Sequence, residues 1–467
     1  MTARRLTLAV VCLATMMLML DIAVVNTALP DIGRELHAGL GGIQWVVDAY
    51  TLALATVVLS AGALADRLGR RRLFAVGLGL FTLSSLACAL ADTIGVLEAS
   101  RAVQGIGAAI MFAVSLAILA NAFTGAKERA GALAFYGATI GASFAVGPLV
   151  GGALTSGFGW RSIFLVNIPV GLLSLLITFT SVVESRDPQA RQIDWAGQAV
   201  LAGGLFLLVY ALLRGNDVGW SSTEILASLA CAGVLLLAFA TLEARVREPM
   251  LPFSHFRIPA FSAAQAGAFA ISASWFAVFL YTTLYLQNVR HLSPVEAGLV
   301  YMPGTVIAFF VSAASAQMIE RGISIKAMIS GGLALVAAGM AALMVVGTGS
   351  SWLVFLPGEI LAMIGTGMFN PAVSNLALSS LPEAHSGLAA GVNDTFRQAG
   401  IAVGIAALGA LIPAQAALGH GYPGAMVAGL HHALLAGAGI AAAGALVTAR
   451  LMRARREPVA AAEPVAA

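Results

Sequence analysis

The chain has 467 residues, of which 59% are hydrophobic and only 10% are charged, whereas about 25% of the residues of an ordinary soluble domain are charged. This balance excludes a soluble globular protein and indicates an integral membrane protein, so we do not interpret the net charge of +3 as a nucleic-acid-binding signature. The three cysteines lie in apolar runs, which argues against a disulfide framework or a metal site.

Apolar runs of the length that a membrane-spanning helix needs, about 20 residues, follow one another along the chain. We predict helices, because lipid-exposed backbone must satisfy its own hydrogen bonds and these runs are too long and continuous for barrel strands. The first run continues from Arg5 through Asp21 to Leu29 without a convincing cleavage site, so we interpret it as a span rather than a signal peptide. The fourteen predicted spans lie near residues 6–29, 44–65, 73–91, 94–121, 131–154, 160–182, 195–213, 221–242, 260–286, 295–318, 327–347, 352–378, 388–411 and 429–450.

The basic residues test this number of spans. With both termini in the cytoplasm, nineteen of the 25 lysines and arginines fall on the inner side, three fall outside and three lie in or at the edge of spans. The positive-inside rule favours this arrangement. Thirteen spans would put basic loops on the wrong side, and twelve would require ignoring a whole helical hairpin. We therefore predict a multi-pass protein of the plasma (inner) membrane with cytoplasmic termini.

Two polar loops, 184–194 and 243–259, divide the spans into groups of six, two and six. The predicted fold class is an all-α integral membrane protein in which two six-helix bundles flank two additional central helices. A weak echo of segment 62–73 at 314–326 supports pairing the outer groups, and such repeats are typical of secondary transporters. The predicted domains are 1–183 (N-terminal bundle), 184–259 (two extra helices with cytoplasmic loops), 260–451 (C-terminal bundle) and 452–467 (a disordered tail).

Several carboxylates lie inside predicted spans, where each charge costs a few kcal/mol on insertion scales. Asp21, about eight residues from the outer end of the first span, is either a proton or cation site in a water-filled cavity or a structural partner for an arginine or for backbone groups. Asp48 and Glu359 lie nearer the outer face, where we expect them to reach interfacial water.

Two acid–arginine pairs share a spacing of three residues, which places both side chains on one helical face. Glu98 and Arg101 lie near the outer end of the fourth span, and Asp394 and Arg397 lie in the thirteenth. In each case the alternatives are a proton site, whose affinity the arginine tunes, and a static ion pair. For Asp394, binding of a cationic substrate is a further alternative.

Two spans have distinctive compositions. The fifth span is rich in glycine and contains Pro148, which predicts either simple close helix packing or a pliable seam on which two bundles rock. The ninth carries aromatic residues, including Trp275 and Tyr281, which either pack among helices or contact a hydrophobic or cationic ligand. The sequence contains no phosphate-binding loop, zinc helix or nucleophile elbow, so an enzyme or ATP-driven pump is not expected.

Five segments together resemble the major facilitator superfamily, and within it the fourteen-helix drug:proton antiporters of the quaternary-ammonium and multidrug type. The resemblance covers nearly the whole chain apart from the tail. The segments are DIAVVNTALP (21–30), GALADRLGRRRL (62–73), RAVQGIGAA (101–109), GASFAVGPLVGG (141–152) and WRSIFLVNIPVG (160–171).

The resemblance implies proton-driven export by alternating access, without a catalytic residue, metal or cofactor other than the proton gradient. Its implied partners are a small-molecule substrate, protons and the lipid bilayer, for a chain that acts as a monomer. Together with the charged residues inside the spans, the resemblance predicts four groups of site residues. Proton coupling is assigned to Asp21, Glu98, Arg101 and Asp394, and a cytoplasmic gate to Gly62, Asp66, Arg67, Gly69, Arg70 and Arg71. An antiporter signature comprises Gly141, Gly147, Pro148, Gly151 and Gly152, and a substrate cavity contains Asn26, Gln104, Trp275, Tyr281 and Arg397.

Two alternatives remain open from the sequence. The first is a dedicated exporter of a single metabolite or antibiotic. The second is a transport-inactive membrane sensor, against which the lack of an attached soluble signalling domain argues.

Overall fold

The computed structural model describes residues 3–186, 194–246, 249–382, 386–419 and 421–452, and every regular element in these ranges is a helix. The α-helices are α1 (Ala3–Glu35), α2 (Leu40–Leu68), α3 (Arg70–Ala89), α4 (Ile94–Ala122), α5 (Ala126–Phe158), α6 (Ser162–Leu165), α7 (Asn167–Ser181), α8 (Trp195–Val218), α9 (Thr223–Glu243), α10 (Pro259–Ile271), α11 (Ala277–Leu284), α12 (Pro294–Ala313), α13 (Ser315–Glu320), α14 (Ile325–Ala342), α15 (Leu356–Ser379), α16 (Ser386–Gly409), α17 (Ala414–Ala417) and α18 (Pro423–Leu451).

The prediction of an all-helical, multi-pass membrane protein is confirmed. Thirteen helical segments in the described ranges are long and apolar enough to span a membrane, two of them built from consecutive helices (α6–α7 and α10–α11). Helix α16 is a further long helix of 24 residues. It stands apart because polar residues interrupt its apolar sequence: Asn393, Asp394, Arg397 and Gln398.

Several helices extend beyond the predicted spans, because the helix continues where the apolar run has ended. The first span was predicted to end at residue 29, but α1 passes through Pro30 and ends at Glu35. A proline removes only its own N–H donor and can be tolerated within a long, well-packed helix. Asp21 therefore lies near the middle of α1, farther from the end of the helix than the predicted end of the span implied.

The aromatic ninth span is not a uniform helix. Two π-helical turns, Ser272–Phe276 and Tyr285–Val289, interrupt it after α10 and after α11. Helix α16 packs closely against the first of these turns: a Cβ atom added to Gly404 would lie 2.6 Å from the Cα atom of Ala273. Small residues thus allow two backbones to approach each other next to the polar segment of α16.

Two helix pairs join the early and late parts of the chain: α5 packs on α12, and α2 packs on α16. Helix α8 lies across the second pair. Near one end of α8, the Ser60 hydroxyl of α2 donates to the Gln198 side chain (2.6 Å), and near its other end the Asn216 amide donates to the carbonyl of Ala410 (2.7 Å). The helices predicted as a central insertion thus contact both partners of this seam, while the exact domain boundaries stay a prediction.

The contacts across the α5–α12 seam are closest at the end that holds Gly159 and Ser293, which the predicted topology places outside and which we call the outer end. The Gln287 amide donates to the carbonyl of Thr27 (2.8 Å) on this side of the molecule. Toward the opposite end the glycines of α5 are less closely packed: a Cβ atom added to Gly141 would lie 3.9 Å from the Phe309 ring of α12, and one added to Gly137 would have no neighbour within 4 Å. The described helices thus form a transporter-like arrangement that is closed at the outer end.

Three predictions concern residues outside the described ranges. The disordered tail was predicted for 452–467, of which the structure describes only residue 452. Parts of the two loops that separate the predicted domains, 187–193 and 247–248, also lie outside the described residues.

Candidate functional site

An ion pair between Asp21 of α1 and Arg101 of α4 lies in the interior of the first helices. The Arg101 guanidinium donates to the Asp21 carboxylate, and the side chains are 0% (Asp21) and 1% (Arg101) exposed. Such a pair is stable only when further hydrogen bonds compensate for the loss of water around both charges. The neighbouring polar side chains therefore decide whether this arrangement holds.

A layer of amides surrounds the pair. The Gln104 side chain donates to the Asp21 carboxylate (3.0 Å) and to the Ser85 hydroxyl (2.8 Å), and it accepts from Arg101 (2.6 Å). The Asn167 side-chain amide donates to the Asp21 carboxylate (3.4 Å). Gln104, predicted as a substrate-cavity residue, is thus a member of the buried charge cluster, and Ser85 and Asn167 are members that the sequence analysis did not identify.

Arg101 also contacts α2. Its Nε atom donates to the carbonyl of Val46 (2.9 Å), and its Cζ atom lies 4.3 Å from the centre of the Tyr50 ring. Of the two alternatives for Glu98 and Arg101, the static ion pair is not formed, because the arginine turns inward to Asp21 while Glu98 stays half-buried beside Gly42. Helical spacing allowed the Glu98 pair, but only the packing of α1 against α4 supplied the better-shielded partner.

Asp394 of α16 is a buried acid of the last helices. The carboxylate is close enough to interact electrostatically with the phenol groups of Tyr50 on α2 and Tyr136 on α5. One of its oxygens is buried without a hydrogen-bond partner, and it forms no ion pair with Arg397 within the described ranges. Asp394 and Arg397 are therefore not a static ion pair in this structure.

Further buried polar atoms without a partner come from both sides of the molecule. Such atoms are costly in a sealed interior and mark positions where a ligand or water completes the hydrogen bonds. Among them are the hydroxyls of Thr15 and Tyr136 on the first helices and atoms of Gln265, Asn370 and Gln398 on the last helices. The sequence analysis missed these five residues, since isolated polar residues in spans carry no motif.

The predicted gate residues form a tight turn between α2 and α3. Asp66 accepts from Arg70 at 2.8 and 2.9 Å, one helical turn away. Gly69 has φ +113°, a conformation that side chains rarely adopt, and a Cβ atom there would lie 2.7 Å from the Glu184 carboxylate. The glycine of this segment is therefore required by both backbone conformation and space.

Glu184 was not predicted as a functional residue, yet it closes the gate turn. Its carboxylate accepts from the backbone N–H groups of Arg71 (3.0 Å) and Arg72 (3.3 Å), while Arg70 N donates to the carbonyl of Ser185 (3.0 Å). A carboxylate at the first N–H groups of a helix is stabilised by the helix dipole. The loop after α7 thus holds the start of α3, a contact that only the tertiary structure reveals.

The glycine-rich signature of α5 has two faces. On one face Gly147 and Gly151 approach α1, where a Cβ atom on Gly151 would lie 2.7 Å from the Cα atom of Val24. On the other face, a Cβ atom on Gly152 would lie 2.8 Å from the Cα atom of Val295 in α12. The signature therefore lies at the junction of α1, α5 and α12, at the outer end.

Two predicted cavity residues, Asn26 and Tyr281, use their polar groups within the protein, and a third, Trp275, is buried. The Asn26 amide donates to the carbonyl of Ile22 (2.9 Å), and Trp275 is buried. The Tyr281 hydroxyl donates to the carbonyl of Ile405 and accepts from Gln44 (2.7 Å), so it joins α2, α11 and α16 at the outer end. Contact of these residues with substrate stays a prediction, as does that of the half-buried Arg397.

Two shallow carboxylates were expected at the interface with water, and this expectation is wrong. Asp48 and Glu359 are both 0% exposed, and neither carboxylate has a hydrogen-bond partner. Helices α2 and α15 are covered by neighbouring helices at these positions, which linear distance from a span end does not reveal.

A family model described as Major Facilitator Superfamily matches residues 11–405. The chain belongs to the major facilitator superfamily. The matched range includes the Asp21–Arg101 cluster, the gate turn and the glycine-rich α5. As a member of this superfamily, the protein is a membrane-embedded transporter of small molecules and not an enzyme, and the resemblance seen in the sequence is confirmed.

Relatives within the superfamily carry names of drug and antibiotic resistance. Multidrug resistance protein Stp of Mycobacterium tuberculosis is 37% identical over 409 residues, which cover 88% of this chain and 76% of that protein. Puromycin resistance protein pur8 of Streptomyces alboniger is 36% identical over 86% of this chain and 80% of its own length. Methylenomycin A resistance protein of Streptomyces coelicolor is 33% identical over 86% of this chain and 84% of its own length.

Solved structures support the fold independently. The crystal structure of the human organic anion transporter MFSD10 (TETRAN) aligns with a TM-score of 0.65 at 17% identity, covering 95% of this chain and 99% of that one. At this identity the likeness concerns the fold alone.

Proposed function

We propose that this protein exports drugs or other amphipathic, often cationic, small molecules in exchange for protons by alternating access. The observation that carries the proton part is the Asp21–Arg101–Gln104 cluster, a titratable acid sealed against a permanent cation in the interior. The export part rests on the superfamily relatives, whose names refer to multidrug, puromycin and methylenomycin resistance over 86–88% of this chain.

The cluster supplies a two-state element. Ionised Asp21 neutralises Arg101, which cannot lose its own proton. When Asp21 accepts a proton, the charge-assisted bond is lost and the arginine must find other acceptors, of which Gln104 and the carbonyl of Val46 are in place. Because α1 carries Asp21 and also packs on α5, a change in this bond acts on the helix pair that meets α12 at the outer end.

Asp394 and the unpartnered polar atoms supply the substrate part of the proposal. Thr15 and Tyr136 belong to the first helices, and Gln265, Asn370 and Gln398 to the last. In this proposal a bound molecule contacts polar groups on both sides. A cationic substrate would be favoured near Asp394, and proton binding there would weaken it. In this scheme, protons enter from outside as substrate leaves, and they are released to the cytoplasm when substrate rebinds.

The gate turn supplies the cytoplasmic control. In the present arrangement Asp66 is bonded to Arg70 of its own turn. We propose that closing the cytoplasmic side brings Asp66 against a neighbouring helix end or basic residue. The remaining parts of the proposal are that the protein works as a monomer in the plasma (inner) membrane with cytoplasmic termini, driven by the proton gradient without another cofactor.

A second candidate is the export of one dedicated compound. Two relatives are named for resistance to a single antibiotic, methylenomycin A and puromycin. A susceptibility and uptake panel of dyes, quaternary ammonium compounds and antibiotics, with and without an uncoupler, separates the two. Broad uncoupler-sensitive efflux supports the multidrug function, whereas efflux of one compound supports the dedicated exporter.

The test of proton coupling uses proteoliposomes with an imposed pH gradient. Asp21→Asn should abolish gradient-driven transport, because the amide cannot exchange a proton. Asp31→Asn is the matched control on the same helix, since Asp31 pairs only with exposed Arg34 near the helix end. Wild-type transport by Asp21→Asn, or gradient-independent transport by the unmodified protein, would contradict the proposal.

A further inference from the structure

Glu359 of α15 is a buried acid that the proposed mechanism leaves unused. Its side chain is fully buried, and both carboxylate oxygens lack a hydrogen-bond partner. Among the described residues, only Asp48 and Glu359 have both oxygens in this condition. An isolated carboxylate is very costly to keep ionised in nonpolar surroundings, and such a group usually becomes neutral instead.

The carboxyl group lies against the backbone of α12. A Cβ atom added to Gly304 would overlap both carboxylate oxygens, so only glycine leaves room for them. On the other side, Gly358 holds α15 close to α14, because a Cβ atom there would lie 2.7 Å from the carbonyl oxygen of Gly339. The acid is therefore enclosed between two helices that fit around it.

The hydroxyl group of Tyr301 on α12 already has hydrogen-bond partners. The Tyr301 hydroxyl, one turn from Gly304 on α12, is within 2.7 Å of the Thr282 hydroxyl and 3.2 Å of that of Thr283. Its ring packs edge-on against Phe355, 5.7 Å away, at the start of α15. The Tyr301 hydroxyl is thus bonded to these threonines and not to Glu359.

No cation compensates for the acid in the described part of the chain. The helices packed against α15 are α10, α12, α13, α14 and α16, and α10 has no charged residue. Glu296 caps the exposed outer start of α12, Lys326 lies at the opposite end of α14, and the side chain of Glu320 is outside the described set. The other charged residues on these helices, neither bonded to Glu359, are Asp394 and Arg397.

Helix α12 connects this acid to the moving seam. A Cβ atom on its Gly298 would lie 3.0 Å from the carbonyl carbon of Pro148 in α5, and the Thr305 hydroxyl donates to the carbonyl of Ala145 (2.9 Å). Opening the outer end requires α12 to shift relative to α5. If α12 at the same time moves away from α15, Gly304 no longer covers Glu359 and water gains access to the carboxyl group.

We infer that Glu359 is a proton-binding site that holds its proton while the outer end is closed and loses it when α12 shifts away from α15. On opening, the carboxylic O–H bond breaks, the proton passes to water, and the carboxylate becomes hydrated. The inference deepens the proposed function, and its role in the transport cycle rests on that function. Protonation of Glu359 in the closed state does not depend on the proposed function, so the inference and the proposed function can fail separately.

The first test is infrared difference spectroscopy on the full chain in lipid near neutral pH. Wild type minus Glu359→Gln should contain the C=O band of a protonated carboxylic acid, shifted in heavy water. Glu296→Gln is the matched control, because the exposed capping acid should give only a carboxylate difference. A carboxylate band, or no band, for Glu359 overturns the inference. Glu359→Met serves if the glutamine variant does not fold.

The second test measures the opening itself. Spin labels at exposed positions 157 and 352, at the outer ends of α5 and α15, report the outer-end distance as pH is raised. The pH-dependent increase in the label-to-label distance should be largely lost in Glu359→Gln, because glutamine is a permanently neutral analogue of the protonated acid. It should be retained in Glu296→Gln. An unchanged response in Glu359→Gln overturns the coupling to opening. A wild type without proton-driven transport, but with the Glu359 acid band, would refute the proposed function alone.

Discussion

Removing the Asp21 carboxylate tests whether the buried ion pair is as important as its geometry implies. In Asp21→Ala, the Arg101 guanidinium loses its anionic partner while remaining fully buried. Arginine cannot become neutral in a protein, so the charge stays. The remaining acceptors are the side chain of Gln104 (2.6 Å) and the carbonyl of Val46 (2.9 Å), with the Tyr50 ring 4.3 Å away.

The expected loss follows from these contacts. Breaking a buried pair by removing one partner costs about 3–5 kcal/mol, and the two remaining acceptors place Asp21→Ala toward the lower part of that range. Asp21→Asn should cost less, about 1–3 kcal/mol, because its amide oxygen still accepts a hydrogen bond. Arg101→Met should also cost less than Asp21→Ala, since Asp21 can take up a proton and Arg101 cannot lose one.

The assay is the free energy of unfolding of the purified protein in detergent, with apparent melting temperature as a second readout. Asp31→Ala is the matched control on α1, because its pairing with exposed Arg34 is expected to contribute at most about 1 kcal/mol. The double variant Asp21→Ala/Arg101→Met completes the double-mutant cycle. It should be less destabilised than Asp21→Ala, since no unpaired charge remains buried.

Two outcomes would refute this reasoning. The first is a loss below about 1 kcal/mol in Asp21→Ala, which is the range of exposed pairs and would mean that water reaches Arg101. The second is strict additivity in the double variant, whereas contacting groups typically show coupling of about 0.5–3 kcal/mol.

Three further predictions concern the gate and the seam. Glu184→Gln should lower stability by about 0.5–1 kcal/mol in melting experiments, because the start of α3 loses an anionic cap; an equal effect at 1 M salt would argue against electrostatics. Gly69→Ala should reduce both stability and transport, and wild-type behaviour would contradict the strained turn. Gly152→Ala should separate α5 from α12 and lengthen outer-end spin-label distances, whereas Gly137→Ala on the same helix, whose added Cβ has no neighbour within 4 Å, should not.

The Asp48 carboxylate points to a related feature on α2. It is buried without a partner one helical turn from Gln44, which bonds to Tyr281 of α11 and lies 3.4 Å from the carbonyl of Ile405 in α16. The outer end therefore contains polar contacts between α2 and the last helices as well as the α5–α12 packing. Opening of the outer end therefore requires the loss of the α2 contacts with the last helices and the separation of α5 from α12.

The sequence by itself determined the solvent and the class of fold. Long apolar runs can satisfy their backbone only as helices in lipid, and the arginines of the 62–73 segment marked a turn. The local motifs also drew attention to Asp21, Arg101 and the α5 glycines, because charge and small size within a span are visible without knowledge of neighbours.

Partners were decided only by the tertiary structure. Arg101 is equally able to meet Glu98 on its own helix or Asp21 on another, and the packing of α1 on α4 selected Asp21 because it lies deeper. Glu184 meets the gate turn across a sequence separation of more than one hundred residues. Glu359 was expected near water on the basis of its distance from a span end. Burial is set by the helices that cover a position, and that information lies in the fold, not in the local sequence.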